Sequence, residues 1–375
     1  MGDAADEPRL RVLLGPTDPA GVAHNLGQGL RELGHSTETV VWEPSPFGYA
    51  HDRVIESVPE RLRFALGAGR RHDVVHAFGG RSLVPYLDLV AARLRRRSTI
   101  VQYNGTDARD SAIAAELHPA RARIVDPARD RNIRAHRRAA GLIARSAAVQ
   151  DLELVSYLLG SYRTIYVIPF AIDLPTIDAI DRPDAPAQSG KPLRVLHAPS
   201  NRRVKGSDLI DAAIAAAGEE AAIEPVTVHG MPHEQTLAAV AHADVVVDQL
   251  NSETPGVLAA EGMALGKPVL VEMDERKLAP FARPTPAVAI DRDTLAARLV
   301  ALAHDPAERA RLGAAGRSYA RAVHSPLGAA RAATAAYHHS RTGTPGVFQV
   351  TPDGAIVQLN PSDLAHVTPS GAQRS

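Results

Sequence analysis

Residues 244–272 read DVVVDQLNSETPGVLAAEGMALGKPVLVE. The run Asp244–Asp248 is short, β-branched and bounded by polar residues, which predicts a buried strand. A polar loop follows, and Gly256 precedes a run from Val257 to Leu265 that predicts a helix ending at Gly266. Pro268–Glu272 is the next strand. Strand, helix and strand within thirty residues is a βα unit, and repeated units of this kind build a parallel sheet.

The same alternation extends both ways. Downstream, Thr294–His304, Ala307–Ala322 and Leu327–His338 predict helices, with Ala287–Ile290 as a strand. Upstream, Leu193–His197 and Thr227–His229 predict strands, with helices over Leu209–Ala217 and Thr236–His242. A second series fills the N-terminal half. Its predicted strands are Arg9–Leu14, Glu38–Trp42, Asp73–Phe78, Ser98–Gln102, Leu142–Ala144 and Ile165–Pro169. Helices are predicted over Gly21–Leu33, Leu83–Leu94 and Ile133–Ala140. Between the series, Asp173–Pro192 holds Pro175, Pro183, Pro186, Gly190 and Pro192, the composition of a linker. The expected division is 1–172, a linker at 173–192, a second domain at 193–324, a C-terminal helix at 325–340 and a weakly ordered tail at 341–375. The fold class is α/β, with two Rossmann-like parallel-sheet domains facing each other. Such sheets bind ligands at the carboxyl ends of their strands, so the gap between the domains is the expected site.

Composition narrows the chemistry. The 375 residues are 45% hydrophobic and 22% charged, ordinary globular values, with 42 basic and 42 acidic side chains. That balance lacks the basic footprint of a nucleic-acid binder. With no cysteine, disulfide scaffolds, zinc thiolates, iron–sulfur clusters and cysteine nucleophiles are excluded. Lysine occurs only at positions 191, 205, 267 and 277, and this arginine bias with abundant alanine suits a GC-rich bacterial genome. Met1–Pro8 does not read as a secretory signal, and no apolar run approaches the ~20 residues that span a bilayer. A cytoplasmic location is expected, with peripheral membrane contact as an option.

Two segments carry chemistry. Pro199–Gly206 (PSNRRVKG) follows a predicted strand and places Arg202, Arg203 and Lys205 at its carboxyl end. Arginine offers a planar fork and lysine a point charge to phosphate oxygens; read alone, the segment is equally a solvated basic turn. In the second, Glu253 and Glu261 flank seven residues around Gly256. The amides of Gly256, Val257 and Leu258 open a helix and attract anions or hydroxyls. Glu261, one turn inside, can accept ribose hydroxyls, and Glu253 can take a hydroxyl pair from a sugar. Asp291-Arg292-Asp293 matches a metal-binding D-x-D superficially, but it precedes a helix and reads as a cap.

With His197-Ala198-Pro199-Ser200-Asn201-Arg202, Lys205-Gly206, the Glu253/Glu261 pair and the Gly262–Val269 run, residues 193–340 resemble the donor-binding half of a family 4 retaining glycosyltransferase of the two-domain GT-B fold. Gly15-Pro16, Ala20-Gly21, Asp73–His76, Gly105-Thr106-Asp107 and Phe170–Asp173 resemble the same family's acceptor half more weakly. The resemblance covers residues 9–340. It implies that Arg202 and Lys205, with Asn201 beside them, hold the donor diphosphate, that Glu261 binds the ribose, and that Glu253 contacts the transferred sugar. The amides at 256–258 would meet sugar hydroxyls or phosphate, and Gly21 would approach the diphosphate or acceptor. His76, Phe78, Asn104 and Asp107 would face the acceptor side. Relatives often carry histidine where Phe78 stands, near the C6 hydroxyl of the sugar; a donor without that hydroxyl, His76 covering the role, or a core phenylalanine in a weakened or repurposed enzyme are the expectations. No metal or cofactor is implied beyond the nucleotide-sugar co-substrate. The acceptor would be a small molecule, glycan or lipid-linked hydroxyl. A nucleotide-sugar epimerase and a non-catalytic nucleotide-sugar-binding protein are the alternative readings. The arginines 129, 131, 134, 137 and 138 read as a solvated helix face that could instead meet lipid headgroups, and Arg95–Arg97 as a helix end.

Overall fold

The computed structural model describes residues 8–18, 20–118, 127–181, 191–279, 281 and 283–369. Its first sheet contains β1 (Arg11–Gly15), β2 (Ser36–Val41), β3 (Arg53–Val54), β4 (Val74–Phe78), β5 (Ser98–Gln102), β6 (Ser146–Val149) and β7 (Thr164–Val167). The second contains β8 (Leu193–His197), β9 (Ile223–Thr227), β10 (Val245–Val247), β11 (Val269–Val271) and β12 (Val288–Ala289). The chain then returns to the first sheet with β13 (Gly346–Val350) and β14 (Ile356–Gln358). Strand orders are 14-13-7-6-5-4-1-2-3 and 12-11-10-8-9, and every pairing is parallel except β13 with β14. Both central strands are buried throughout (β5 and β10), as expected where helices cover both faces.

In each sheet the strand order reverses once beside the first strand of its series: between β1 and β4, and between β8 and β10. Loops leaving those strands diverge to opposite faces and open a crevice at their carboxyl ends. The helix Pro326–Ser340 crosses back to pack on Val22–Glu32. Close approach there needs Gly29, because a Cβ would lie 1.9 Å from the Pro326 carbonyl oxygen. Thr334 Oγ1 meets His35 Nε2 at 3.2 Å and Ser340 meets Ser98 at 2.5 Å, which fixes this helix on the first domain.

Three expectations are corrected. The strand read at Leu142–Ala144 is the last turn of the helix Pro127–Ala144, and β6 starts two residues later, after Arg145 at φ 63°. A three-residue apolar run does not separate a helix end from a strand. The strand read at Thr227–His229 lies earlier, at Ile223–Thr227; Pro225 disguised it, yet β9 is an edge strand, where proline is tolerated. The segment 341–375, read as a weakly ordered tail, supplies β13 and β14 through residue 358, with Val347, Phe348 and Val350 buried against β7. Residues 370–375 and nine linker residues, 182–190, lie outside the described residues; the linker's first half carries a short helix, Leu174–Ala179. Among the described residues no helix is long and apolar enough to cross a membrane.

Candidate active site

The two crevices face one another across a cavity of about 600 Å³. One wall comes from the loops after β8 and β10 and the start of the helix Val257–Ala264: Asn201, Lys205, Gly256, Val257, Leu258 and Glu261 line it. The other comes from the loops after β1, β4 and β5: Thr17, Asp18, Gly79, Asn104, Asp107 and Arg109.

The second-domain wall is held by two local links and by two buried pairs whose partners lie farther apart in the sequence. Asn201 caps the helix Arg202–Lys205 through the Val204 amide, 3.1 Å. Lys205 Nζ lies 3.2 Å from the fully buried Asp248, whose other oxygen accepts the Gly256 amide at 2.7 Å. Gly256 therefore spends its own N–H on Asp248, and the amides of Val257 and Leu258 occupy the first helical turn, which lacks intrahelical acceptors. Glu261 is 4% exposed, and its Oε1 receives His233 Nε2 at 2.6 Å. Burial works against charge on His233, but the hydrogen bond and the charge of Glu261 outweigh it and raise the imidazole above its ordinary value.

The first-domain wall is held by buried ionic and long-range contacts. Asp18 accepts the amides of Ala23 (3.0 Å) and His24 (2.8 Å) and so closes the N-terminus of the helix Val22–Glu32. Burial pushes its carboxyl up to about 6, against the pull of those amides. Asp107 is likewise raised by burial while accepting the Asn104 and Gly105 amides. Arg109 forms a two-pronged pair with Glu153, at 2.9 and 2.6 Å. Burial opposes the charge on Arg109, and Glu153 more than restores it. Tyr49 crosses the gap: its ring lies 4.5 Å from the His233 ring and covers Gly21, where a Cβ would sit 2.2 Å from it. The His233 amide also donates to the Phe47 carbonyl, 3.0 Å, so one loop touches both domains.

Several expected residues sit elsewhere. Arg202 is outside the lining, 41% exposed, with Asp211 at 2.6 Å and Asp208 at 3.3 Å. Glu253 lines a separate hollow beside β11 and β12, where it binds Lys277 and lies 3.9 Å from His118. His76 and Phe78 are not at the cavity: they are 1% and 0% exposed, stacked at 4.5 Å. His76 Nδ1 contacts Tyr337 Oη at 2.8 Å, so this pair packs under the returning C-terminal helix. Burial drives the His76 imidazole down to about 3. The acceptor-side expectation for these two is thereby corrected, and with it the reading of Phe78 as a sign of the donor's C6 chemistry. Gly21 stands beneath Tyr49 between the lining residues Ala20 and Val22. Asp291 accepts the amides of Asp293 and Thr294 and so closes a turn just before the helix Leu295–His304, whose N-cap is Thr294 without a side-chain cap bond; the segment expected to cap the helix makes a turn instead. The lining residues Asp18, Tyr49, Arg109 and His233 were not anticipated. Arg109, two residues past the Gly105-Thr106-Asp107 segment, carried the one local signal that could have found it.

No family model and no curated protein matches the sequence. Solved structures do. Sucrose-phosphate synthase from Thermosynechococcus elongatus superposes with a TM-score of 0.61 at 16% identity, over 89% of this chain and all (100%) of that one. Anabaena HepE, solved with UDP and glucose, gives 0.59 at 13% identity over 88% and 100%. The chain has the GT-B fold. WaaG, a glycosyltransferase of lipopolysaccharide biosynthesis, shares it with a TM-score of 0.57 at 13% identity, over 85% of this chain and 98% of that one. At such identities the likeness speaks to GT-B architecture, two parallel sheets with a crevice between them, and not to substrate.

Proposed function

We propose that this GT-B protein is a retaining glycosyltransferase of the family 4 type. It moves a sugar from a nucleotide diphosphate sugar to a hydroxyl of a small-molecule, glycan or lipid-linked acceptor, without a metal. The observation that supports this best is the lining of the cavity, at the second sheet's switch point, by Lys205, the Val257 and Leu258 amides and Glu261. Lys205 would neutralise the leaving diphosphate, helped by Arg202 once that side chain exchanges Asp211 for phosphate. Glu261 would bind the ribose, with His233 orienting its carboxylate. A cytoplasmic setting suits a chain without cysteine.

The carboxylates Asp18 and Asp107 are each committed to two backbone amides. This favours a front-face course without a covalent intermediate. The bond from the anomeric carbon to the phosphate oxygen breaks, the acceptor oxygen bonds to that carbon on the same face, and its proton passes to the departing phosphate. Fixed cations at the leaving group supply the stabilisation, and losing one such group costs roughly 10²–10³ in rate. Lys205→Ala should therefore slow nucleotide release roughly 10²–10³-fold from a responsive donor in a panel of UDP-, GDP-, dTDP- and ADP-sugars. Unchanged turnover by that variant refutes the assignment.

A second reading, donor binding without turnover, is favoured by the Glu253–Lys277 pair, which keeps Glu253 outside the cavity lining. Donor-dependent thermal stabilisation with no product across a broad acceptor panel would select it.

A further inference from the structure

Among the described residues ten large apolar side chains are exposed, and six of them belong to one helix layer of the first domain. Val58, Leu62 and Leu66 recur every fourth residue along the helix Val58–Arg71, which makes a single stripe. Val90 and Leu94 lie on and just after the neighbouring helix Leu87–Arg93, and Leu142 lies on Pro127–Ala144. Leu94 and Leu142 are 78% and 79% exposed. These helices pack side by side, away from the Val22–Glu32 and Pro326–Ser340 pair. Their C-terminal ends are tied together: Arg93 donates to the Leu142 carbonyl at 3.0 Å, and Arg97 to that of Gly69 at 3.3 Å.

Arginines surround this apolar set. Arg63, Arg70, Arg95, Arg96, Arg138 and Arg145 are exposed, and none pairs with a carboxylate among the described residues. A chain of zero net charge thus carries a concentrated positive face. It shares only Arg138 with the arginine cluster singled out in the sequence. There, Arg137 is buried within 3.5 Å of Asp110, Arg134 lies 3.6 Å from the same carboxylate, and Arg129 bonds the Thr106 carbonyl.

We propose that this layer docks on the surface of an anionic lipid bilayer. Leucine and valine side chains enter the boundary between headgroups and acyl chains, while arginine stems lie along it and their guanidinium groups meet lipid phosphates. A second copy of the chain fits poorly, because apposed faces would bring arginine against arginine. The inference holds whether or not the cavity transfers sugar.

Sedimentation of the full chain with vesicles tests it. Wild type should pellet with phosphatidylcholine vesicles containing phosphatidylglycerol, pellet far less with phosphatidylcholine alone, and be released by high salt. Arg70→Ser with Arg138→Ser should lower partitioning roughly thirty-fold, two charges each worth roughly fivefold. Leu66→Ser with Leu94→Ser should lower it at least as much. Unchanged melting curves for both variants confirm that folding is intact. Failure to pellet with anionic vesicles, equal pelleting with both vesicle types, or a dimer in solution that the leucine variants dissociate would each overturn the proposal.

Discussion

The two walls of the cavity are built by different means. The second-domain wall is a set of strand ends and one helix start, joined by contacts such as Asn201 to Val204 and Gly256 to Asp248 that span few residues. The first-domain wall spends its charge inward: Asp18 and Asp107 on nearby amides, and both prongs of Arg109 on the buried Glu153. A wall assembled from buried charge fails as a unit when one partner is removed.

The largest expected effect is on the ionic wall. Arg109→Ala leaves Glu153, 2% exposed, without its partner, and should cost about 3–5 kcal/mol in urea unfolding. Arg202→Ala, at the exposed pair of the opposite wall, should leave the urea midpoint where it is. Equal destabilisation by both would erase the contrast. Next comes Phe78→His, which places a polar ring in a fully buried site and should cost ~1–3 kcal/mol. Donor preference should not change. A switched sugar preference in folded Phe78→His would return this residue to the active site.

Gly21→Ala tests the contact across the gap. Its φ of 69° disfavours a side chain by about 1–2 kcal/mol, and the new methyl meets Tyr49. Adding Tyr49→Ala should recover the steric part and leave the backbone part, a coupling that a double-mutant cycle reads directly. The smallest effect is a pH slope. Because Glu261 raises His233 above its usual 6.5, their attraction is fully present below that value and fades as pH climbs through the raised one. His233→Gln should flatten the decline of stability above about pH 6.5; an unchanged slope would detach this pair from the titration.

Legibility in the sequence follows the same division. Apart from β9, disguised by Pro225, the second domain was readable because each strand, loop and helix sits within a few dozen residues and its periodicity is clean. Lys205, Gly256 to Leu258 and Glu261 were placed by that local order. Glu253 was not, since its partner Lys277 belongs to the next loop and no spacing records the pairing. In the first domain β5 was read residue for residue, yet its wall was largely invisible. Nothing near His76 announces that a helix from the far end of the chain will cover it, and nothing near Tyr49 announces that it will reach His233. The β13–β14 hairpin was hidden by the Pro, Gly and Thr residues around it, although Val347, Phe348 and Val350 supply a buried face once β7 offers an edge.

Calorimetric titration of UDP, GDP, dTDP and ADP into the wild type, Lys205→Ala and Glu261→Ala tests the central claim most directly. Binding of one nucleotide by the wild type should weaken about ten- to a hundredfold in Glu261→Ala, the scale of a lost hydrogen bond to a charged group, and should vanish in Lys205→Ala while both variants remain folded. A nucleotide that binds all three proteins equally well would contradict it.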